Sequence, residues 1–189
     1  MKAVIIPGNG GSCYPALLTG NFYQALATQL TDSGLFQGGV VASAMPDPNK
    51  ARREIWIPHV TDTIGVDKDT VVIGHSSGAE CGMRLCETTK VRGLVIVAGC
   101  HTDLGDGGER AAGWYPPSGG DWDWDAIKKN TDWIVQFHST DDPFIPIAEA
   151  RHVAKCLEGR VDYVEMEGRS HFFEPFDECF EKIKEKLTT

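Results

Sequence analysis

Short apolar runs alternate along this chain with stretches whose apolar positions recur every three or four residues. The runs are Ala3–Pro7, Gly39–Ala44, Thr70–Gly74, Gly93–Ala98, Trp133–Phe137 and Asp162–Met166. Each is β-branched or aromatic and bounded by Gly, Pro or Asp, which predicts strands. Val4-Ile5-Ile6 and Leu94-Val95-Ile96-Val97 are apolar without a break. Both faces of such strands are expected to be covered, as in a parallel sheet between two helix layers.

Between the runs lie helical stripes. Phe22, Leu26 and Leu30 share one face, with Gly34 placed to end the helix. Ile147, Ala150, Ala154 and Leu157 form a second stripe, and Phe176, Phe180, Ile183 and Leu187 a third that Pro175 opens. All three read as core-facing. The order is βαβαβαβ, an irregular stretch, then αβαβα. It predicts one α/β domain over residues 1–189, a doubly wound sheet of six mainly parallel strands with helices on both faces. The irregular stretch, His101–Asp121, is rich in Gly, Pro and Asp and is expected to form a small lid.

Composition narrows the function classes. A formal charge of −9 disfavours nucleic acid and anionic membrane as partners, since both call for clustered Lys and Arg. No apolar run reaches the ~18–20 residues of a membrane helix. The N-terminus reads as a first core strand rather than a signal peptide, so a cytoplasmic protein is expected. Cys13, Cys81, Cys86, Cys100, Cys156 and Cys179 form neither a CxxC pair nor a zinc spacing, and are expected to be reduced thiols. Neither metal nor organic cofactor is implied.

The chemistry-bearing residues fall just past predicted strands, where open α/β sheets carry their ligands. Gly74-His75-Ser76-Ser77-Gly78 fits G-x-S-x-G between a strand and a helix-compatible run. In that context the motif is a nucleophile elbow with Ser76 exposed at its tip. Asp141 and Asp142 follow the fifth strand and His171 follows the sixth. The order Ser…Asp…His is that of α/β-hydrolases and differs from the orders of other serine hydrolase folds. A serine hydroxyl needs a base of near-neutral pKa, which histidine supplies, and the histidine needs a carboxylate to fix its tautomer. The tetrahedral oxyanion needs two preset N–H donors. Ser77 is one candidate, and the glycine loop after the first strand (Asn9, Gly10 or Gly11) is the other.

Rival readings stand beside these. Ser76 also suits a helix N-cap, and Ser77 is a competing hydroxyl. Asp141 competes with Asp142, although the Asp142-Pro143 turn leading to Pro146 favours Asp142. His75, His101, His138 and His152 compete with His171, which alone occupies the loop after the last strand. Gly8-Asn9-Gly10-Gly11 matches neither G-x-G-x-x-G nor G-x-x-x-x-G-K-[ST], which disfavours a nucleotide site.

Beyond these generic features the chain resembles the retinoblastoma-binding protein 9 group of small serine hydrolases. The carriers are KAVIIPGNGG at 2–11, MPDP at 45–48, AR-x-x-IW-x-P at 51–58 and IGHSSGA at 73–79. Further on come DLGD-x-x-ERA-x-G at 103–113, W-x-W at 122–124, IVQF-x-STDDPF at 134–144 and the Gly-x-x-His-Phe loop at 168–172. The resemblance implies a compact α/β-hydrolase fold with a minimal lid and a triad on Ser76, Asp142 and His171. It also implies esterase, amidase or aminopeptidase-like activity on a small ester or amide. Trp114, Tyr115, Trp122 and Trp124 would then wall the substrate pocket. The L-x-C-x-E segment behind the family's name is absent, since the matching place reads Ile64-Gly65-Val66-Asp67-Lys68. Retinoblastoma-type binding is therefore not expected.

Overall fold

In the computed structural model, which describes residues 1–10 and 22–188, the apolar runs become one six-stranded sheet of order β2-β1-β3-β4-β5-β6. The strands are β1 (Lys2–Ile6), β2 (Val40–Ala42), β3 (Thr70–His75), β4 (Val91–Val97), β5 (Thr131–Ser139) and β6 (Val161–Met166). Every pairing is parallel, so "mainly parallel" becomes wholly parallel. The helices are α1 (Phe22–Asp32), α2 (Arg53–Pro58), α3 (Ser77–Cys86), α4 (Gly107–Ala112), α5 (Trp124–Lys129), α6 (Ile147–Cys156) and α7 (Asp177–Thr188). A π-helical turn, His59–Ile64, continues α2.

The unbroken apolarity of the central strands has the expected cause. Alternate residues of one strand feed two separate cores. Val4, Ile6, Val72, Leu94, Ile96 and Ile134 pack with Trp56 of α2, Leu85 of α3, Ile127 of α5 and Val153 of α6. Ala3, Ile5, Val71, Ile73, Val95 and Val135 pack on the other face with Leu26 and Leu30 of α1 and Ile183 of α7. The α1 and α7 stripes thus meet the sheet as read, whereas on α6 Val153 joins Ala150 and Leu157 in the core and Ile147 and Ala154 are only half-buried.

Two details depart from the sequence expectation. β2 is only three residues long, because the predicted run Gly39–Ala44 leaves the ladder before Pro46 and pairs on one side alone. The stretch expected to be irregular contains α4, whose N-cap Asp106 accepts the N–H groups of Gly108 and Glu109 at 2.7 and 2.9 Å. Strand order reverses direction at β1, since α1 and α3 lie on opposite faces. The loops after β1 and β3 therefore open a crevice at the carboxyl edge.

Candidate active site

Ser76 stands at the junction of β3 and α3. Its backbone N–H donates to Val97 O at 2.9 Å, so it extends the β3–β4 ladder by one residue. It then turns sharply at φ 51°, ψ −125°, a conformation that L residues disfavour. Two glycines allow the turn. A Cβ on Gly74 would lie 2.1 Å from Gly78 O, and one on Gly78 would lie 2.1 Å from Ile6 O. The helix start is thus pressed against β1 and β3 more closely than any side chain permits. The N-cap alternative is overturned: the Ser76 side chain makes no capping hydrogen bond to α3 among the described residues.

Two neighbouring loops bring acid and base together. After β5, Asp142 accepts the backbone N–H groups of Phe144 and Ile145 on Oδ1, at 2.9 and 3.0 Å. Its Oδ2 lies 2.8 Å from His171 Nδ1. Burial pushes the Asp142 carboxyl up, but the bond and charge of His171 and the two N–H donors outweigh it. The result is a carboxyl held below its ordinary value, ionised where a histidine works. Asp141 has a different task. It accepts the Ser139 hydroxyl and the Ser170 N–H, the latter at 3.2 Å, and so ties the loop after β5 to the loop after β6.

His171 and Ser76 line one cavity of about 540 Å³. The His171 ring is flanked by Phe144 and Phe173, with centroids 5.0 and 5.6 Å away. These two aromatics are 60% and 45% exposed, so the mouth of the cavity is apolar. Its interior is carboxyl-rich. Glu80 accepts the Cys100 N–H at 2.8 Å, and its burial raises the carboxyl well above the ordinary range. Glu109, also raised by burial, accepts from Tyr115 Oη and Asn9 Nδ2, both at 3.2 Å.

The remaining candidates sort by geometry. Ser77 and Asn9 line the cavity. Gly10 does not serve as an oxyanion donor, because its N–H is directed to Pro48 O at 2.7 Å. Gly11 lies outside the described residues. Of the four aromatics expected to wall the pocket, the lining includes Tyr115. The other three are corrected. Trp114 is fully buried, with Nε1 donating to Ala51 O at 2.8 Å. Trp122 lies under the Arg84 guanidinium at 3.8 Å and stacks on Trp124 at 5.4 Å. They pack away from the cavity. Apolar bulk alone does not distinguish a pocket wall from the core beneath it.

The other histidines take structural places. His101 stacks on His152 at 3.8 Å and sits 2.7 Å from Glu149. His138 is fully buried and donates from Nε2 to Ile145 O at 3.0 Å, bracing the loop that carries Asp142. His75 lies beneath His171 itself, with ring centroids 4.8 Å apart. Sequence reasoning did not single out Glu80 or Arg84. A charged residue four or eight positions into a helix gives no warning that it will be buried.

A family model described as "Serine hydrolase" matches residues 38–185. The chain belongs to the serine hydrolase family. Among curated relatives, Serine hydrolase RBBP9 of Rattus norvegicus is 40% identical over 188 residues, covering 99% of this chain and 96% of the relative. This serine hydrolase is therefore an enzyme of the small type that the sequence blocks resemble. Solved structures share its fold at low identity. The ydeN gene product of B. subtilis superposes with a TM-score of 0.78 at 20% identity, covering 100% of this chain and 99% of its own. Est1E of Butyrivibrio proteoclasticus gives 0.68 at 15% identity, covering 100% of this chain and 88% of its own. The hydrolase has no helix, among the described residues, long and apolar enough to cross a membrane.

Proposed function

We propose that this hydrolase cleaves small carboxylic esters or amides, aminoacyl amides included, through an acyl-enzyme on Ser76. The observation that carries the reading is the strained Ser76 elbow opening into the same cavity as a His171 already bonded to Asp142. Nδ1 of His171 donates to the Asp142 carboxylate, which leaves Nε2 with the lone pair a base requires. Ser76 Oγ attacks the carbonyl carbon as Nε2 takes its proton. The oxyanion is held by the N–H groups of Ser77 and Asn9, the candidate donors that line the cavity among the described residues. His171 then passes the proton to the departing alkoxide or amine, and the acyl group remains on Ser76. Water reverses the sequence with His171 again the base, releasing the carboxylic acid.

The aminopeptidase-like end of this class is supported by Asp106 and Glu109, carboxyl groups that line the same cavity as Ser76. The apolar rim of Phe144 and Phe173 suits an uncharged acyl or leaving group. Labelling with a fluorophosphonate probe tests the chemistry. Labelling is expected in the native protein and in Ser77→Ala, and is expected to be lost in Ser76→Ala and His171→Ala. Labelling that persists in Ser76→Ala would remove the reading.

A further inference from the structure

The residue before Ser76 carries an imidazole that the acyl-transfer scheme leaves without a task. His75 is 2% exposed, with Nε2 2.9 Å from the backbone carbonyl oxygen of His171 and Nδ1 2.5 Å from Tyr23 Oη. A carbonyl only accepts, so the proton is on Nε2 and is donated to His171. Nδ1 is then an acceptor, and Tyr23 supplies its O–H. The Tyr23 oxygen in turn accepts the Gly8 N–H at 3.0 Å. One chain of donors thus runs from Gly8 through Tyr23 and His75 to His171, each bond polarising the next in the same sense. Its ends are the loop that carries Asn9 and the loop that carries the catalytic histidine.

We propose that His75, acting with Tyr23, is a positioning residue that fixes the backbone of His171 relative to Ser76 and to the oxyanion loop. The proposal rests on the acyl-transfer reading of Ser76 and His171. It explains why the His171 loop holds its shape. Ser170 and Phe172, on either side of His171, both have positive φ, 48° and 56°. Such residues persist only where their surroundings over-determine them. Hydrogen bonds supply that hold from two directions, Phe172 N–H to Arg169 O at 2.9 Å and His75 to His171 O. It also explains the residue type. Burial and the neighbouring His171 hold His75 down at about 3. The latch therefore stays neutral beside an imidazolium that forms in every turnover, where a lysine would repel it.

Steady-state hydrolysis of p-nitrophenyl acetate by Tyr23→Phe, His75→Leu, His75→Gln and Ser76→Ala, with thermal melting as the fold control, tests this. Tyr23→Phe and His75→Leu are expected to lower kcat by about 10- to 100-fold, the cost of a small misplacement of a reacting group, with KM changed by no more than about threefold. His75→Gln, whose amide N–H reaches the place of Nε2–H, is expected to recover part of that loss. An unchanged kcat in folded Tyr23→Phe and His75→Leu would overturn the proposal. So would equal losses in Gln and Leu, which assign the effect to core volume, or a rise in KM with kcat intact. Tyr23→Phe, which keeps ring volume, decides the matter if His75→Leu does not fold. Hydrolysis that survives in Ser76→Ala would instead sink the acyl-transfer reading, and the proposal with it.

Discussion

His171 Nδ1 and Asp142 Oδ2 lie 2.8 Å apart, while Asp141, one residue earlier, bonds to Ser139 and Ser170 instead. Adjacent carboxylates thus have separable tasks. Asp142→Asn removes the charge that stabilises the imidazolium and disturbs the His171 tautomer. Its kcat/KM at neutral pH is expected to fall about 10³- to 10⁴-fold, as when the carboxylate of a Ser-His-Asp triad is neutralised. Asp141→Asn keeps an oxygen for Ser170 and is expected to stay within about tenfold of the native value. Ester-hydrolysis kinetics on the two variants check this, and equal losses would mean that the loop tie matters as much as the charge.

The elbow glycines make a stability prediction. Gly78→Ala forces a methyl to 2.1 Å from Ile6 O, a backbone atom that cannot move without shifting β1. The variant is expected to lose several kcal/mol, or to fail to fold, by overpacking. Gly107→Ala, with nothing within 4 Å of its new Cβ at the start of α4, is expected to be neutral or about 0.4–1 kcal/mol more stable. Urea melts of the two proteins give the comparison directly.

Arg84 ties the segment from Trp114 to Asp121 to α3, the helix that follows Ser76. Its buried guanidinium donates to Trp114 O at 2.6 and 2.8 Å, to Gly120 O at 2.7 Å, to Asp121 O at 3.0 Å and to Glu87 at 2.6 Å. Glu87 in turn accepts the Asp123 N–H at 3.0 Å. Arg84→Met would strand those carbonyls and a half-buried carboxylate, a change that typically costs about 3–5 kcal/mol. Limited proteolysis is expected to show new cleavage between Gly113 and Asp123 before the sheet unfolds. Cleavage elsewhere first would assign Arg84 to the core rather than to this segment.

Glu80 predicts a pH dependence of stability. Burial raises its carboxyl well above the ordinary 4.5, so the native fold holds a proton that the unfolded chain releases near that pH. Its contribution is therefore fully present below about pH 4.5 and is lost as pH rises through the native value. Glu80→Gln keeps an oxygen for the Cys100 N–H and carries no proton to lose. Its advantage over the native protein is expected to be small near pH 4 and to grow toward pH 8. Urea midpoints across that range measure it, and a parallel pair of curves would show that Glu80 ionises in the fold without penalty.

How much of this was legible beforehand follows from the range of the interactions involved. Period-two and period-3.6 patterns are local, and they located the six strands and the faces of α1 and α7. β2 came out shorter than its apolar run because an edge strand has one partner and its end depends on where the chain turns away. α4 was unreadable as a helix because its two opening glycines carry no helical signal, and an Asp106 cap compensates for them. Ser76, Asp142 and His171 were placed by chain order past strand ends, which is also a local property once the sheet is parallel.

What the sequence determined by itself was therefore the fold class, the family and the three loops that meet at the carboxyl edge. Residue type and spacing specify each of these within a few residues of chain. The tertiary structure alone decided which of the four aromatics lines the cavity, Tyr115 and not the three tryptophans, and that the Gly10 N–H is directed to Pro48 O. It also decided that His75, Tyr23 and Gly8 form one hydrogen-bonded chain, since His75 and the His171 carbonyl are 96 positions apart. Such pairings depend on where buried donors find acceptors after the sheet and helices have packed, and no pattern along the chain encodes that.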